Sequence, residues 1–369
     1  MELLTKDKFM KQFNSKKTNI SFDEFLQKAK VKNKSRVVSL VDYMKKNNRT
    51  KQQLKHLYEH IQSKNKYLER FYNTSLRPQH LSITEKPSPN YNNNQLVNYK
   101  NIIRNLHYEE ILKHTQSGFS GNPTFLETLE NLYLKLIIDY KLLTPSALHY
   151  IEQNRIGGVF SSFYFRASIM NPYLVYSLNK TLLHGKRIFT PTLGWTSYLY
   201  GFLECDEVES YVGVDVIHSV CEKSRQFALQ YDKQVSIIES PSENLYKNQN
   251  FKKKYKEYFD VVFFSPPYYQ LELYRGDNQS TNKYDTLESW LKNYWETTIM
   301  LCKHVLAKNG RLCYIISNYD KNETMELVDR MNSIVEKHLD FKKSFSMINK
   351  NAHMTKHRNT NEQIVLFTK

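Results

Sequence analysis

Ser265-Pro266-Pro267-Tyr268 is the tetrapeptide of this 369-residue chain with the sharpest chemical content. It follows directly on Phe259-Asp260-Val261-Val262-Phe263-Phe264, a run whose composition reads as a buried parallel strand. Ligands of open α/β sheets bind beyond the carboxyl ends of strands, which is where this tetrapeptide falls. Two prolines fix its backbone and bar a helix. Such a turn aims one hydroxyl and one main-chain carbonyl at a point, with an aromatic ring alongside. Two acceptors suit the NH2 group of a planar amine, and Tyr268 can stack on its ring. Out of context the same residues would be a structural Pro-Pro turn; the position after a strand favours chemistry.

A carboxylate stands in a second such place. Gly213-Val214-Asp215-Val216 ends a strand with an acidic residue, about 20 residues after a Gly-containing strand-to-helix turn at Gly194. That spacing suits a carboxylate accepting hydrogen bonds from two ribose hydroxyls; the alternative is an Asp capping the helix that starts near 217. His353 and His357 have the spacing of two metal ligands on a helix, but they sit in a polar loop with no third ligand nearby, so no metal is expected. The four cysteines (Cys205, Cys221, Cys302, Cys313) show no C-x-x-C pair and read as small buried hydrophobes.

These residues need a sheet to position them. From about Arg187 short β-rich runs alternate with helical segments: RIFTPT, SYVGVDV, VSIIE, YFDVVFFS and RLCYIIS are strands, with helices near 196–204, 217–231, 284–308 and 322–338. FKKSFSMINK and EQIVLFTK, joined by a polar loop, read as a final antiparallel hairpin on an otherwise parallel sheet. Residues 1–75 read as helices. Ser21-x-x-Glu24 and Thr50-x-x-Gln53 are capping boxes, the first opening a segment to about Lys32. Arg36–Lys46 places Val37, Leu40, Val41 and Met44 at helical spacing, and Leu54, Leu57, Tyr58, Ile61 and Leu68 form a longer stripe. Residues 76–98, rich in Asn, Ser and Pro, are the linker candidate, and 99–160 are a helical connecting region.

The formal net charge is +16, and residues 1–100 alone carry 21 basic and 8 acidic side chains, a balance of +13. A basic first quarter on a nearly neutral body suggests a nucleic-acid-binding module, although a solvated basic surface looks the same in composition. No apolar run approaches the ~18 residues of a membrane span, so no membrane partner is expected. The first residues lack a signal-peptide core, which points to a reducing compartment: the cytoplasm, with the nucleus open. A protein partner or homo-oligomer stays open.

On Ser265-Pro-Pro-Tyr268 the chain resembles the S-adenosylmethionine-dependent DNA amino-methyltransferases, whose signature is (Asp/Asn/Ser)-Pro-Pro-(Tyr/Phe) after the fourth strand. The stretch Tyr269-Gln-Leu-Glu-Leu-Tyr274, then Gln279-Ser280, Tyr284 and Trp290, resembles a phage- and virus-type subgroup. Ala307–Asn318 resembles the fifth-strand region and Asn361–Lys369 the seventh strand. The likeness covers roughly residues 160–369. It implies a Rossmann-like class I methyltransferase fold over 161–369: α/β, a mostly parallel seven-stranded sheet with a C-terminal antiparallel hairpin, preceded by the basic α-helical region.

The resemblance also implies roles. Ser265, Pro266, Pro267 and Tyr268 would be catalytic. The cofactor, S-adenosylmethionine, would meet Pro191, Gly194 and Trp195 in the Gly turn and Asp215 at the ribose. Ser242 and Glu243 would face its adenine, and Arg166, Asn171 and Pro172 its methionine end. The Gly turn departs from the family pattern: in Thr190-Pro191-Thr192-Leu193-Gly194-Trp195-Thr196, threonines replace the Asp, the Phe and the second Gly. A branched side chain at Thr196 stands where a glycine would let backbone approach the ligand. Tyr269 and Tyr274 would line the entry for a flipped base, and the basic first quarter and the loop His353–Arg358 would contact the nucleic acid, with Arg358 as a substrate contact. The product would be N4-methylcytosine or N6-methyladenine, DNA being preferred to RNA. A protein-glutamine methyltransferase, or a catalytically inactive nucleic-acid-binding subunit, are the alternatives.

Overall fold

The computed structural model describes all residues except 16–18, 95–98, 119–121, 319–322 and 349–360. Strands are numbered in chain order: β1 Lys30–Asn33, β2 Arg36–Ser39, β3 Gln116–Ser117, β4 Ile137–Asp139, β5 Arg187–Thr190, β6 Ser210–Asp215, β7 Gln234–Glu239, β8 Phe259–Phe264, β9 Glu272–Leu273, β10 Leu306–Asn318, β11 Asp340–Ser346 and β12 Asn361–Thr368. The main sheet has the order β11-β12-β10-β8-β5-β6-β7, parallel except for β12, which pairs antiparallel with both β10 and β11. The chain enters this sheet at β5, runs outward through β6 and β7, then returns to β8 on the other side of β5. This is the Rossmann-like methyltransferase fold with its C-terminal antiparallel hairpin. The reversal between β5 and β8 opens a crevice at the carboxyl ends of the strands.

The strands follow from composition. Every residue of β8 except Asp260 is buried, as a continuous apolar run covered on both faces must be. Asp260 sits at the far end of the strand and takes the Arg187 guanidinium at 2.7 Å. Crossover helices Ser197–Leu203, His218–Ala228 and Thr297–Val305 follow β5, β6 and, through a longer excursion, β8.

The N-terminal region is helical, and both capping boxes form at Ser21 and Thr50. It also holds a hairpin that the helical stripes hide. The helix opened by Ser21 ends at Lys28, not near Lys32, and Arg36 starts a strand; the next helix begins at Leu40, capped by Ser39. The cause is tertiary: β1 pairs with β2 and, in parallel, with β4, placing Val31 in the core and leaving Val37 and Val38 49% and 41% exposed. Residues 76–94 lie along the sheet unit. Ile83 N–H donates to Glu204 at 2.7 Å, Ser88 N–H to Ser177 Oγ at 3.1 Å, and Tyr91 stacks on Phe345. One continuous hydrophobic core runs from Phe9 to Phe367. No helix among the described residues is long and apolar enough to cross a membrane.

Candidate active site

A cavity of about 800 Å³ lies over the crevice between β5 and β8. That volume is in the range of sites that enclose a cofactor-sized ligand. Its walls include Pro191, Gly194, Trp195, Asp215, Ser242, Glu243, Ser265, Pro266, Pro267, Tyr268 and Tyr274, so most of the residues singled out from the sequence meet in one place.

The turn after β5 is left-handed over three successive residues, with φ of 53° at Gly194, 59° at Trp195 and 71° at Thr196. Gly194 is obligatory: a Cβ there would lie 2.2 Å from the Tyr198 ring. Trp195 lies between His107 and Tyr274, its ring centroid 6.2 Å and 5.9 Å from theirs. Thr196 turns its side chain away from the cavity, toward His107 and Ser224, so the branched residue does not obstruct the wall.

Asp215 ends β6. Its Oδ1 accepts from the backbone N–H groups of Val216 and Ile217 at 2.8 and 3.0 Å, and Oδ2 from Leu193 N–H at 3.3 Å. The carboxylate thus steadies the entry to the following helix and the turn after β5 while facing the cavity. Burial pushes its pKa up to about 6, against the pull of the three N–H donors. After β7, Ser242 Oγ pairs with Thr298 Oγ1 at 3.1 Å. Glu243 holds the Lys283 ammonium at 2.7 Å and the Tyr284 hydroxyl at 3.2 Å. Gln279 and Ser280 join the wall, and Trp290 Nε1–H donates to Ser280 Oγ at 3.0 Å.

Beyond β8, Ser265 N–H donates to the Tyr198 hydroxyl at 3.1 Å, which links the two turns. Ser265 Oγ–H donates to the Ile315 carbonyl of β10 at 3.0 Å, and Tyr268 OH reaches the same carbonyl at 3.2 Å. Ser265 Oγ also lies 3.3 Å from the Tyr268 hydroxyl, and with its proton on the Ile315 carbonyl it keeps acceptor capacity. Tyr274 OH donates to Glu272 at 2.8 Å, and burial raises the Glu272 carboxyl above its ordinary pKa.

Three residues expected at the site, Asn171, Pro172 and Tyr269, are placed off its walls. Asn171 is buried, caps the helix Pro172–Leu178 by accepting from Tyr173 N–H at 3.1 Å, and does not line the cavity. Tyr269 turns outward: its hydroxyl donates to the Asp285 carbonyl at 3.0 Å and its ring packs by Trp290. The cause is its φ of 40°, which redirects the chain after the prolines. Arg358, with His353 and His357, lies outside the described residues; among the described residues no group of three acidic, His or Cys side chains could hold a metal.

The structure adds residues the sequence reading passed over. Glu272, Tyr198 and Ser317 line the cavity, and so does Lys100; Arg166, expected at the methionine end, lines it too. Burial holds Lys100 down at about 7, helped by the neighbouring Arg104 charge. Only Tyr198 carried a local signal, four residues after Gly194 on the helix that follows it. Lys100 comes from a distant segment, and nothing in its neighbourhood marks it.

No protein-family model matches the chain, and no curated protein does. Among solved structures, it is similar to the N-methyltransferase NodS from Bradyrhizobium japonicum in complex with S-adenosylhomocysteine, at 12% identity over 53% of this chain and 83% of that one, TM-score 0.35. TrmN from Thermus thermophilus is similar at 13% identity over 55% of this chain and 50% of its own, TM-score 0.38. A methyltransferase from Pyrococcus furiosus is similar at 17% identity over 54% and 82%, TM-score 0.36. The assignment of the fold stands on the strand order itself.

Proposed function

We propose that this chain transfers a methyl group from S-adenosylmethionine to the exocyclic amino group of a DNA base, cytosine N4 or adenine N6. The observation that carries this reading is the state of Ser265: its Oγ–H is committed to the Ile315 carbonyl, so its oxygen keeps acceptor capacity on the cavity wall. An amine nitrogen needs acceptors for its hydrogens, and this turn supplies them.

The cavity fits the cofactor in three respects. Gly194 lets the turn close onto Tyr198 at the cavity wall, where a Cβ would strike the ring. Asp215 offers a partly buried carboxylate at the end of β6, the chemistry that two ribose hydroxyls require. Tyr294 OH and Ser317 Oγ, both buried and on the cavity wall, lack a hydrogen-bond partner among the described residues and are free to meet a polar ligand. When bound, S-adenosylmethionine supplies an electrophilic methyl group on a sulfonium.

The protein's part is orientation. Asp215 would hold the ribose, the Gly194 turn would pass the methionine portion, and Ser242 and Glu243 would border the adenine. Ser265 Oγ and the Pro266 carbonyl would accept the two amine hydrogens, drawing the nitrogen lone pair out of conjugation toward the methyl. Tyr268 would flank the base. Most of the rate would come from this positioning, with no strong general base required. A base must leave the duplex to enter such a cavity, and the basic surface of residues 1–100 would hold the phosphate backbone.

The test pairs cofactor calorimetry with transfer of labelled methyl groups to DNA, in wild type and in Ser265→Ala. The expected outcome is unchanged cofactor affinity with transfer lost in the variant. Cofactor binding with no transfer to DNA, RNA or a glutamine-containing peptide would instead favour a catalytically inactive binding subunit. Transfer to RNA or peptide alone would move the substrate class.

A further inference from the structure

The left-handed turn at Gly194–Thr196 poses a physical question. Glycine visits that region freely, but Trp195 and Thr196 do not, and a β-branched residue at φ 71° is a genuine outlier. Such a conformation persists only where the surroundings over-determine it. Thr196 is fully buried, and its hydroxyl sits between two partners: His107 Nε2 at 2.7 Å and Ser224 Oγ at 2.7 Å. Ser224 belongs to the helix after β6. His107 comes from outside the sheet unit, at the C-terminus of the helix Lys100–Leu106, and is 0% exposed. A second bond fastens the same corner, Lys223 Nζ to the Leu106 carbonyl at 2.6 Å.

The direction of the hydrogen bonds follows from what is left over. Burial and the nearby Lys223 charge hold His107 down at about 3, so the ring is neutral. Its Nδ1 has no hydrogen-bond partner among the described residues. If Nδ1 carried the proton, a buried N–H would go unmet. Placing the proton on Nε2 gives a directed relay: His107 Nε2–H to Thr196 Oγ1, Thr196 O–H to Ser224 Oγ. The relay runs through Thr196, the residue whose backbone most needs holding.

We infer that His107 is a positioning residue for the cofactor, clamping Thr196 in the left-handed conformation that a glycine would adopt unaided. This rests on reading the turn as the cofactor cradle. A hydrogen-bonded clamp from the chain's N-terminal half thus does at Thr196 what the conformational freedom of a glycine would do. It also makes that half part of the cofactor site.

The experiment is calorimetry with S-adenosylhomocysteine on the full chain, alongside thermal melts, for wild type, His107→Ala, His107→Gln, Thr196→Gly and the double variant His107→Ala/Thr196→Gly. His107→Ala should bind about tenfold more weakly, a loss comparable to one good hydrogen bond. His107→Gln, whose amide N–H reaches about as far as Nε2–H, should stay near wild type. In the double variant glycine needs no clamp, so affinity should return even though the melting temperature does not. Unchanged affinity in His107→Ala overturns the inference, and so does a double variant as weak as the single one, which would mean that the histidine merely fills the core. Should His107→Ala fail to fold, Ser224→Ala tests the same relay from its other end and should weaken binding by a smaller factor that Thr196→Gly again restores; no weakening overturns the clamp. Wild type that binds no S-adenosylhomocysteine overturns the cofactor reading of the turn itself, and the clamp with it.

Discussion

The turns after β5 and β8 end neighbouring strands and face one cavity, yet they are held in opposite ways. The Ser265 turn carries its own constraint in Pro266 and Pro267, and its hydroxyl is tied to the adjacent strand at Ile315. The Gly194 turn has no proline after Pro191 and adopts three left-handed residues, which only neighbours can impose: Tyr198 packed on Gly194, and His107 and Ser224 on Thr196. One turn is rigid by local chemistry and the other by tertiary contact. The difference predicts that damage to the first is chemical and confined, while the second can be damaged from far along the chain.

The largest effect should come from the locally held turn. Ser265→Ala removes an acceptor without disturbing the prolines, so methyl transfer should fall by about 10²- to 10³-fold, as for loss of one preorganised polar group. Cofactor affinity should not change. If affinity falls in parallel, the two turns are not separable and the contrast fails. Gly194→Ala is the counterpart: with a Cβ driven into the Tyr198 ring, cofactor affinity should fall about 100-fold. The Tyr198 hydroxyl is also bonded to Ser265 N–H, so transfer at saturating cofactor should fall as well, by less.

Asp215 makes the Gly194 side of the cavity sensitive to pH. Its folded pKa lies above the ordinary carboxylate value, so the native state binds the proton more tightly and this group costs stability as pH rises from about 4 through about 6. Ligand binding has the reverse sign, because the charged form accepts the ribose hydroxyls. Cofactor affinity should therefore weaken as pH falls below about 6, and Asp215→Asn, which keeps one acceptor oxygen and sets an NH2 donor against an N–H, should lose affinity at every pH. An affinity independent of pH between 5 and 7.5 would remove Asp215 from the cofactor site.

The smallest effect concerns the basic surface. Lys34 and Arg36 are exposed on the β1–β2 hairpin. Replacing both by Ala should weaken DNA binding several-fold and lower the slope of log K against log salt by about 2, with cofactor affinity unchanged. An unaltered slope would make this part of the basic region a solvated face.

What the sequence revealed follows the same division. The Ser265 turn, β8 and the strand–helix alternation are local patterns, and β5, β6, β7, β8, β10 and β12 fall on β-rich runs, while the exposed edge strand β11 lies within FKKSFSMINK but for its first residue. Asp215 was legible because it ends a strand at a fixed distance from a glycine. The hairpin at Lys30–Ser39 was not, because its pairing with Ile137–Asp139 outweighs a helical stripe containing Val37 and Val41. Asn171 looked like a cofactor contact by position, but an Asn before Pro172 is a helix cap first, and the cap is what forms. The role of His107 depends on its contact with Thr196, 89 residues along the chain, and no spacing rule reaches that far.

The central claim, methyl transfer to an exocyclic amine held by Ser265 and Pro266, is tested most directly by mass spectrometry of nucleosides from DNA and RNA incubated with the protein and methyl-labelled S-adenosylmethionine. The expected result is labelled N4-methylcytosine or N6-methyladenine from DNA, absent with Ser265→Ala. Folded, cofactor-binding protein that leaves every nucleoside unlabelled would contradict it.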